Sequence, residues 1–528
     1  MYRPVLGVRQ WPNRPLNHSR SRTVTRLGFL LDSDSCIGCH ACTVACKSEH
    51  DVPLGVNRTW VKYIETGDFP DTSRHFSVMR CNQCDDAPCM EICPTSALFR
   101  SGNGVVDFND DFCIGCKGCL NACPYDAIYI NPETNTANKC NFCNHRLEVG
   151  LEPSCVVVCP THAIKVVDFD DADNEALKII SREDTAVRAP EQGTNPKVYY
   201  KGAHQASLDP LRTSIQSDGL IWADLTKNHP TPPIEDDRGI VARTTYTTPH
   251  MMTWKEKVSG YLVTKAVASG VMLVAALMVL MGHSTEQAAV GIVPAMIAGV
   301  FLAITGVLLV TDLKQPKRFY YLITKGNMSS WLVKGAYVLG VYAALLALWW
   351  IAGLADAGGL LKVLAIPVAL LAAATAGYTA FLFAQCEGRD LWQSELLLPM
   401  LLSQASAAGG ATYMIMDLFM ELPEITAVRW VTLGGIAAMA MVLFTEITGK
   451  HTRHVEMAVH TMTHGQHRGR FWIGVALGMV MPATLVIIAL ASAMTNPVLP
   501  ACAGLCVIVG MWFYEDSYIR AGQSVPLS

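Results

Sequence analysis

The sequence predicts an α+β domain followed by an all-α, polytopic membrane domain of about eight transmembrane helices. Three observations predict it. Of the 19 cysteines in 528 residues, all but Cys386, Cys502 and Cys506 fall in four short runs between Cys36 and Cys159. Residues up to about 250 are polar and rich in loop signals, whereas from about Trp254 long apolar runs dominate, interrupted by charge only at intervals. The length also exceeds what one ordinary core accommodates, so at least two domains are expected. A formal net charge of −4, with no basic stripe carrying aromatics, gives no footing for a nucleic-acid partner.

Residues 1–27 form a basic arm that lacks the apolar core of a secretory signal. SRSRTVTR is not a twin-arginine pair ahead of an apolar stretch. The arm is expected to rest, solvated, on a partner or on lipid headgroups.

Residues 28–170 hold the cysteine runs CIGCHACTVAC, CNQCDDAPCMEIC, CIGCKGCLNAC and CNFCNHRLEVGLEPSCVVVC. They supply Cys36, Cys39, Cys42 and Cys46; Cys81, Cys84, Cys89 and Cys93; Cys113, Cys116, Cys119 and Cys123; and Cys140, Cys143, Cys155 and Cys159. Disulfides would need an oxidising compartment, and cysteines three apart are poorly placed to pair. Structural zinc usually takes two close cysteines and a distant second pair. Here a third and a fourth thiolate follow at once, the spacing that caps a [4Fe–4S] cube with three successive thiolates and sends the fourth to a neighbouring cluster. Pro94, Pro124 and Pro160 follow the last cysteine of three runs and stop the chain folding back, while Cys46 is followed by Lys47. Sixteen thiolates in four sets predict four [4Fe–4S] clusters in a ferredoxin-like domain stapled by metal rather than by burial.

In this order and completeness the four runs resemble the four-cluster electron-transfer subunits of molybdopterin oxidoreductases, such as dimethyl sulfoxide, polysulfide and nitrate reductases. The resemblance implies two interleaved dicluster units, the first run crossing with the fourth and the second with the third. One cluster would take Cys36, Cys39, Cys42 and Cys159, and its neighbour Cys140, Cys143, Cys155 and Cys46. The next would take Cys113, Cys116, Cys119 and Cys93, and the membrane-proximal one Cys81, Cys84, Cys89 and Cys123. Residues 171–253 carry scattered prolines without periodicity and are expected to form an extended connector.

Residues 254–528 form the membrane domain, with spans near 258–281, 288–311, 331–354, 362–386, 395–417, 428–449, 472–493 and 497–514. The fifth is weakest as a span, but its Ser403, Ser406, Gly409 and Gly410 suit close helix packing. With eight spans, the loops on the cluster side hold Lys314, Lys317, Arg318, Lys325, Arg389, Lys450, Arg453, Arg468, Arg470 and Arg520. The opposite loops offer little beyond Lys362 and Arg429, so the cluster domain is expected to face the cytoplasm of a bacterial inner membrane. The stretches DLKQPKRFYYLITKGNMSSW and GYTAFLFAQCEGRDLWQSELL resemble the polysulfide reductase membrane-subunit family. That resemblance implies an eight-helix, haem-free anchor that exchanges electrons with quinone, although many of its relatives dock their clusters on the outer face.

No histidine lies well inside a span, so no haem is expected. The histidines from His451 to His467 belong to an interfacial loop, and Cys386, Cys502 and Cys506 read as packing residues. Ionisable groups inside a bilayer are costly and usually functional. Lys265 and Tyr378, about two turns in from the cluster side, are the leading quinone-binding candidates, with Asp312, Arg318, Glu387 and Arg389 near the same interface. The chain is expected to be a non-catalytic oxidoreductase subunit that links a separate molybdopterin-type catalytic subunit to the quinone pool. Its alternatives are a redox-driven proton or ion translocator, or the same conduit serving a hydrogenase or heterodisulfide-type partner.

Overall fold

The computed structural model describes residues 26–215, 234–235, 241–248, 251–284, 286–493 and 495–528. Nearly all of the basic arm lies outside the described residues, as do 216–233, 236–240, 249 and 250 of the segment expected to be a connector. The chain divides into two compact units, one running to Thr253 and including Pro526–Ser528, the other Trp254–Val525.

The first unit contains strands β1 (Leu27–Asp32), β2 (Thr59–Thr66), β3 (Ser73–Arg80), β4 (Leu98–Arg100), β5 (Val106–Phe108), β6 (Ile128–Ile130), β7 (Ala137–Lys139), β8 (Ile164–Asp168), β9 (Thr185–Ala186), β10 (Val198–Lys201), β11 (Ser214–Ile215), β12 (Ile234–Glu235) and β13 (Val241–Tyr246). Between them lie short helices α1 (Ala41–Glu49), α2 (Pro88–Glu91), α3 (Gly118–Ala122), α4 (Asn144–Leu147), α5 (Ser154–Val157), α6 (Glu175–Arg182) and α7 (Gln205–Leu208). One sheet has the order β8-β1-β10-β9, a second β11-β13-β2-β3, and β4-β5 and β6-β7 are separate hairpins. The run LGFLL of β1 is apolar because both of its faces are covered. Phe29 and Leu31 pack among Cys42, Cys155 and Phe142, while Leu30 packs with Val167 and Ala176 beneath α6.

The expected connector is corrected by its pairings. β10 lies beside β1 in parallel, and β13 pairs antiparallel with β2, so parts of this segment are strands of both sheets. Strands this short, paired with partners far away in sequence, leave no periodicity to read. α6 is amphipathic and its first turn is capped by Asn174, whose side chain accepts from Leu177 N at 3.0 Å.

The second unit is a helix bundle: α8 (Glu256–Leu280), α9 (Val293–Asp312), α10 (Tyr321–Thr324), α11 (Trp331–Leu354), α12 (Gly358–Ala384), α13 (Leu397–Met416), α14 (Ile425–Thr448), α15 (Arg453–Thr463), α16 (Arg468–Val475), α17 (Met481–Ala491) and α18 (Val498–Ser524). A π-helical turn at Gln287–Ile292 leads into α9, and another at Ala476–Val480 joins α16 to α17. Among the described residues, seven helical segments are long and apolar enough to cross a membrane. The remaining long helix, α13, was expected as the fifth span. It packs against α8, α12, α14 and α18, and a helix shielded by its neighbours from lipid need not be uniformly apolar.

Small residues make that shielding possible. A Cβ on Gly270 of α8 would lie 1.9 Å from Ala405 O, and one on Gly409 of α13 would lie 2.1 Å from Gly270 O. Ser403 and Ser406 instead donate to carbonyls of their own helix, Pro399 O and Leu402 O. The last span also runs further than expected, through Glu515 and Asp516 to Ser524. Asp516 accepts from Arg470 Nη1 at 2.8 Å and Arg520 Nε at 2.9 Å, so the charges that end the apolar run are paired and the helix continues.

Candidate functional site

All four cysteine runs repeat one local geometry. The residue before the second cysteine is left-handed in each: Gly38, Gln83, Gly115 and Phe142, with φ of 70°, 49°, 67° and 60°. Only two of these are glycine, so the others need compensation. Gln83 is buried, donates to Cys140 O at 3.1 Å and accepts from Val106 N at 2.8 Å. Phe142 stacks on Phe29 with ring centroids 4.0 Å apart. Three residues after the last cysteine, Ser96, Asp126 and His162 are left-handed as well, and these follow the three prolines. Where Lys47 replaces proline, α1 continues to Glu49, and Lys47 Nζ donates to Pro53 O at 3.0 Å and Val56 O at 2.5 Å.

These loops bring thiols from different runs together. One cavity is lined by Cys36, Cys39, Cys42 and Cys159. A second is lined by Cys46, Cys140, Cys143 and Cys155, with Phe29, His50, Thr59, Arg80, Phe142 and Pro153. A third is lined by Cys93, Cys113, Cys116 and Cys119, with Pro94, Ile114 and Lys117. Cys81, Cys84, Cys89 and Cys123 lie within electrostatic reach of one another. Among the described residues, no three His, Cys, Asp or Glu side chains converge closely enough for a single metal ion. In the three cavities the thiols line a space between them, as a multi-atom cluster requires.

Burial, and next the neighbouring thiol, pushes Cys84, Cys116 and Cys143 each up to about 12. Thiols so placed ionise together only when a cation enters the cavity. Cys39 is exposed, and Ile37, Val44, Val157 and Val158, each within five residues of Cys39 or Cys159, present apolar side chains to solvent. The first cavity is thus the one nearest the unit's surface, while Cys81, Cys84, Cys89 and Cys123 are all buried.

In the helical unit, Lys265 of α8 is 1% exposed, and its ammonium donates to Thr379 Oγ1 of α12. It lies 4.7 Å from the Tyr378 ring centroid and 5.8 Å from that of Tyr261. Glu515 of α18 is 2% exposed, within electrostatic reach of Lys265, and accepts from Gln404 Nε2 of α13 at 2.5 Å. α8, α12, α13 and α18 thus converge on one buried polar cluster. Of the predicted quinone-site residues, Lys265 and Tyr378 meet there. Asp312 lies at the end of α9 and Arg318 in the short helical turn Pro316–Arg318 that follows it, while Glu387 and Arg389 lie between α12 and α13. Arg389 Nη1 donates to Gln523 O at 3.3 Å and Val525 O at 3.0 Å, clamping the end of α18. Thr379, Tyr261, Gln404 and Glu515 escaped sequence reasoning. An intramembrane glutamate ahead of Asp516 was the available signal, but it sat beyond the expected end of the span.

Two family models match the chain. Residues 73–169 match a 4Fe-4S dicluster domain. Residues 247–525, more than half of the chain, match polysulphide reductase, NrfD. The chain belongs to the polysulphide reductase NrfD family. It is also similar to a tetrathionate reductase subunit of Salmonella typhimurium, 38% identical over 224 residues, which are 42% of this chain and 88% of that protein. A polysulfide reductase polypeptide of Wolinella succinogenes is 40% identical over 177 residues, 33% of this chain and 93% of that one. The arsenate respiratory reductase iron-sulfur subunit of a Shewanella strain is 34% identical over 225 residues, covering 33% and 95%. This NrfD-family chain therefore joins, in one polypeptide, an iron–sulfur electron-transfer module and a multi-pass membrane module.

Proposed function

We propose that the chain is the electron-transfer and membrane-anchor subunit of a respiratory oxidoreductase, passing electrons between a separate catalytic subunit and membrane quinone through four [4Fe–4S] clusters. The observation that carries this reading is the lining of three cavities by cross-run cysteine sets, each of four thiols. Cys36, Cys39, Cys42 and Cys159 hold the outermost cluster. Cys46, Cys140, Cys143 and Cys155 hold its neighbour. Cys93, Cys113, Cys116 and Cys119 hold the third, and Cys81, Cys84, Cys89 and Cys123 the last. Such clusters, when bound, each accept and release one electron.

The catalytic partner docks over exposed Cys39 and its apolar rim of Ile37, Val44, Val157 and Val158. The relatives named above belong to tetrathionate, polysulfide and arsenate reductases, which favours a molybdopterin-type partner. At the membrane end, Lys265 and Tyr378 donate to a quinone carbonyl and stabilise the charge that develops on reduction. Glu515 and Gln404 complete a buried polar site beside them. The basic loops on the side where α8 begins favour the cytoplasmic face of a bacterial inner membrane for that side.

The test is anaerobic purification from native membranes. About 16 irons per chain, four in each of four clusters, should co-purify with a molybdenum-containing subunit. Zinc as the main metal, or iron near half that figure, overturns the conduit.

A further inference from the structure

Arg80 ends β3, directly before Cys81, and is completely buried. Its guanidinium lies 4.4 Å from the Phe29 ring centroid, and Nη1 donates to Cys155 Sγ at 3.3 Å. Nε and Nη2 are buried and make no hydrogen bond. No carboxylate lies within ion-pair distance of it among the described residues. An isolated guanidinium in a dry interior is very costly unless negative charge sits beside it. The negative charge available lies in the cavity that Arg80 itself lines, with Cys46, Cys140, Cys143 and Cys155.

Arg58 makes the contrast. It too is buried near Cys46, but its Nη2 donates to Asn138 Oδ1 at 3.0 Å and its Nε reaches Tyr129 Oη at 3.4 Å. Two of its nitrogens are thus turned to other partners, whereas Nη1 of Arg80 is bonded to a cavity thiol and its Nε and Nη2 make no hydrogen bond.

We propose that Arg80 is a potential-setting residue for the cluster held by Cys46, Cys140, Cys143 and Cys155, favouring its reduced state by fixed positive charge and N–H···S hydrogen bonds. The proposal rests on the four-cluster reading above. The step is a one-electron reduction of the cluster, which leaves it one charge more negative. No proton moves, because the guanidinium stays protonated throughout. The added charge is therefore met by a cation already in place, in an interior where electrostatic interactions are strong. Charge and hydrogen bonds to sulfur are among the factors that set such potentials. Phe29 holds the guanidinium plane, so the charge cannot swing away as the cluster is oxidised and reduced.

The experiment is an EPR-monitored redox titration of the anaerobically purified full-length protein, with iron counted on each sample. In Arg80→Gln, one midpoint should fall, so that its reduced-to-oxidised ratio at the original midpoint drops at least about tenfold, or about 59 mV for a one-electron couple. Arg80→Lys, which keeps the charge, should recover most of that shift. Full iron with all midpoints unchanged in Arg80→Gln overturns the proposal and leaves the conduit standing. Wild-type protein without iron–sulfur clusters sinks the conduit itself. If Arg80→Gln fails to load, wild-type protein grown on ¹⁵N-arginine decides by pulsed EPR. A nitrogen coupling on one reduced cluster, lost in Arg80→Lys, is expected, and its absence overturns the proposal.

Discussion

Lys265 of α8 holds its ammonium 4.7 Å from the centroid of the Tyr378 ring on α12, and both side chains are buried among helices. An ammonium and a phenol at one point in a dry bundle can converge on a single carbonyl oxygen, where each donor is worth far more than in water. Lys265→Met keeps the length and removes the donor. It should leave iron content intact and slow electron exchange with quinone analogues about 10²-fold, as measured by cluster reoxidation. Unchanged kinetics in a fully assembled protein would falsify the role given to Lys265.

The Tyr378 ring owes its position to Gly335 of α11. A Cβ there would lie 2.4 Å from Tyr378 Cε2, so Gly335→Ala must displace the ring. Quinone exchange should fall about tenfold to 10²-fold, as misplacement of a reacting group does. Gly340→Ala on the same helix meets nothing within 4 Å and should change neither exchange nor assembly.

Cross-run ligation has its own signature. Cys46 and Cys155 line one cavity although 108 residues of chain separate them, and Cys159, close to Cys155, lines another. Cys46→Ser and Cys155→Ser should alter the same EPR-detected cluster, and Cys159→Ser a different one. If Cys155→Ser and Cys159→Ser alter one cluster together, ligation follows the runs and the interleaving fails.

Lys62 on β2 is almost wholly buried, and burial first, then the charge of Arg188, lowers its amine to about 7. Unfolded, it titrates near 10.5. Between these values the unfolded chain binds the extra proton, so this group makes stability rise with pH across that window, by about 1.4 kcal/mol per pH unit. Lys62→Met should remove that dependence and gain most at or below pH 7. Thermal loss of cluster absorbance at several pH values reads it out. A parallel pH profile in wild type and Lys62→Met contradicts the assignment.

Met328 is exposed in the segment between α10 and α11, among the basic loops. With those loops cytoplasmic, Met328→Cys should resist a membrane-impermeant thiol reagent in intact cells and react after permeabilisation. Prompt labelling in intact cells would place the basic loops outside.

The metal half and the apolar half were legible because both signals are local. Two to four residues between successive thiols fix whether a loop can wrap a cube, and about 20 apolar residues fix whether a helix spans a bilayer. The departure of Lys47 from the proline pattern was likewise visible in the sequence, and it coincides with the longer helix α1.

Tertiary structure alone decided three other matters. β10 and β13 turn an apparent connector into part of the domain's sheets, because strand pairing across long separations leaves no periodic trace. Glu515 joins Lys265 because α8, α13 and α18 pack closely through glycines, and helix packing determines which buried charges face each other. In the sequence Arg80 is marked only by its place directly before Cys81. Only the fold, by seating it against Phe29 and Cys155 without a carboxylate, made it a charge whose compensation must come from the cavity it lines.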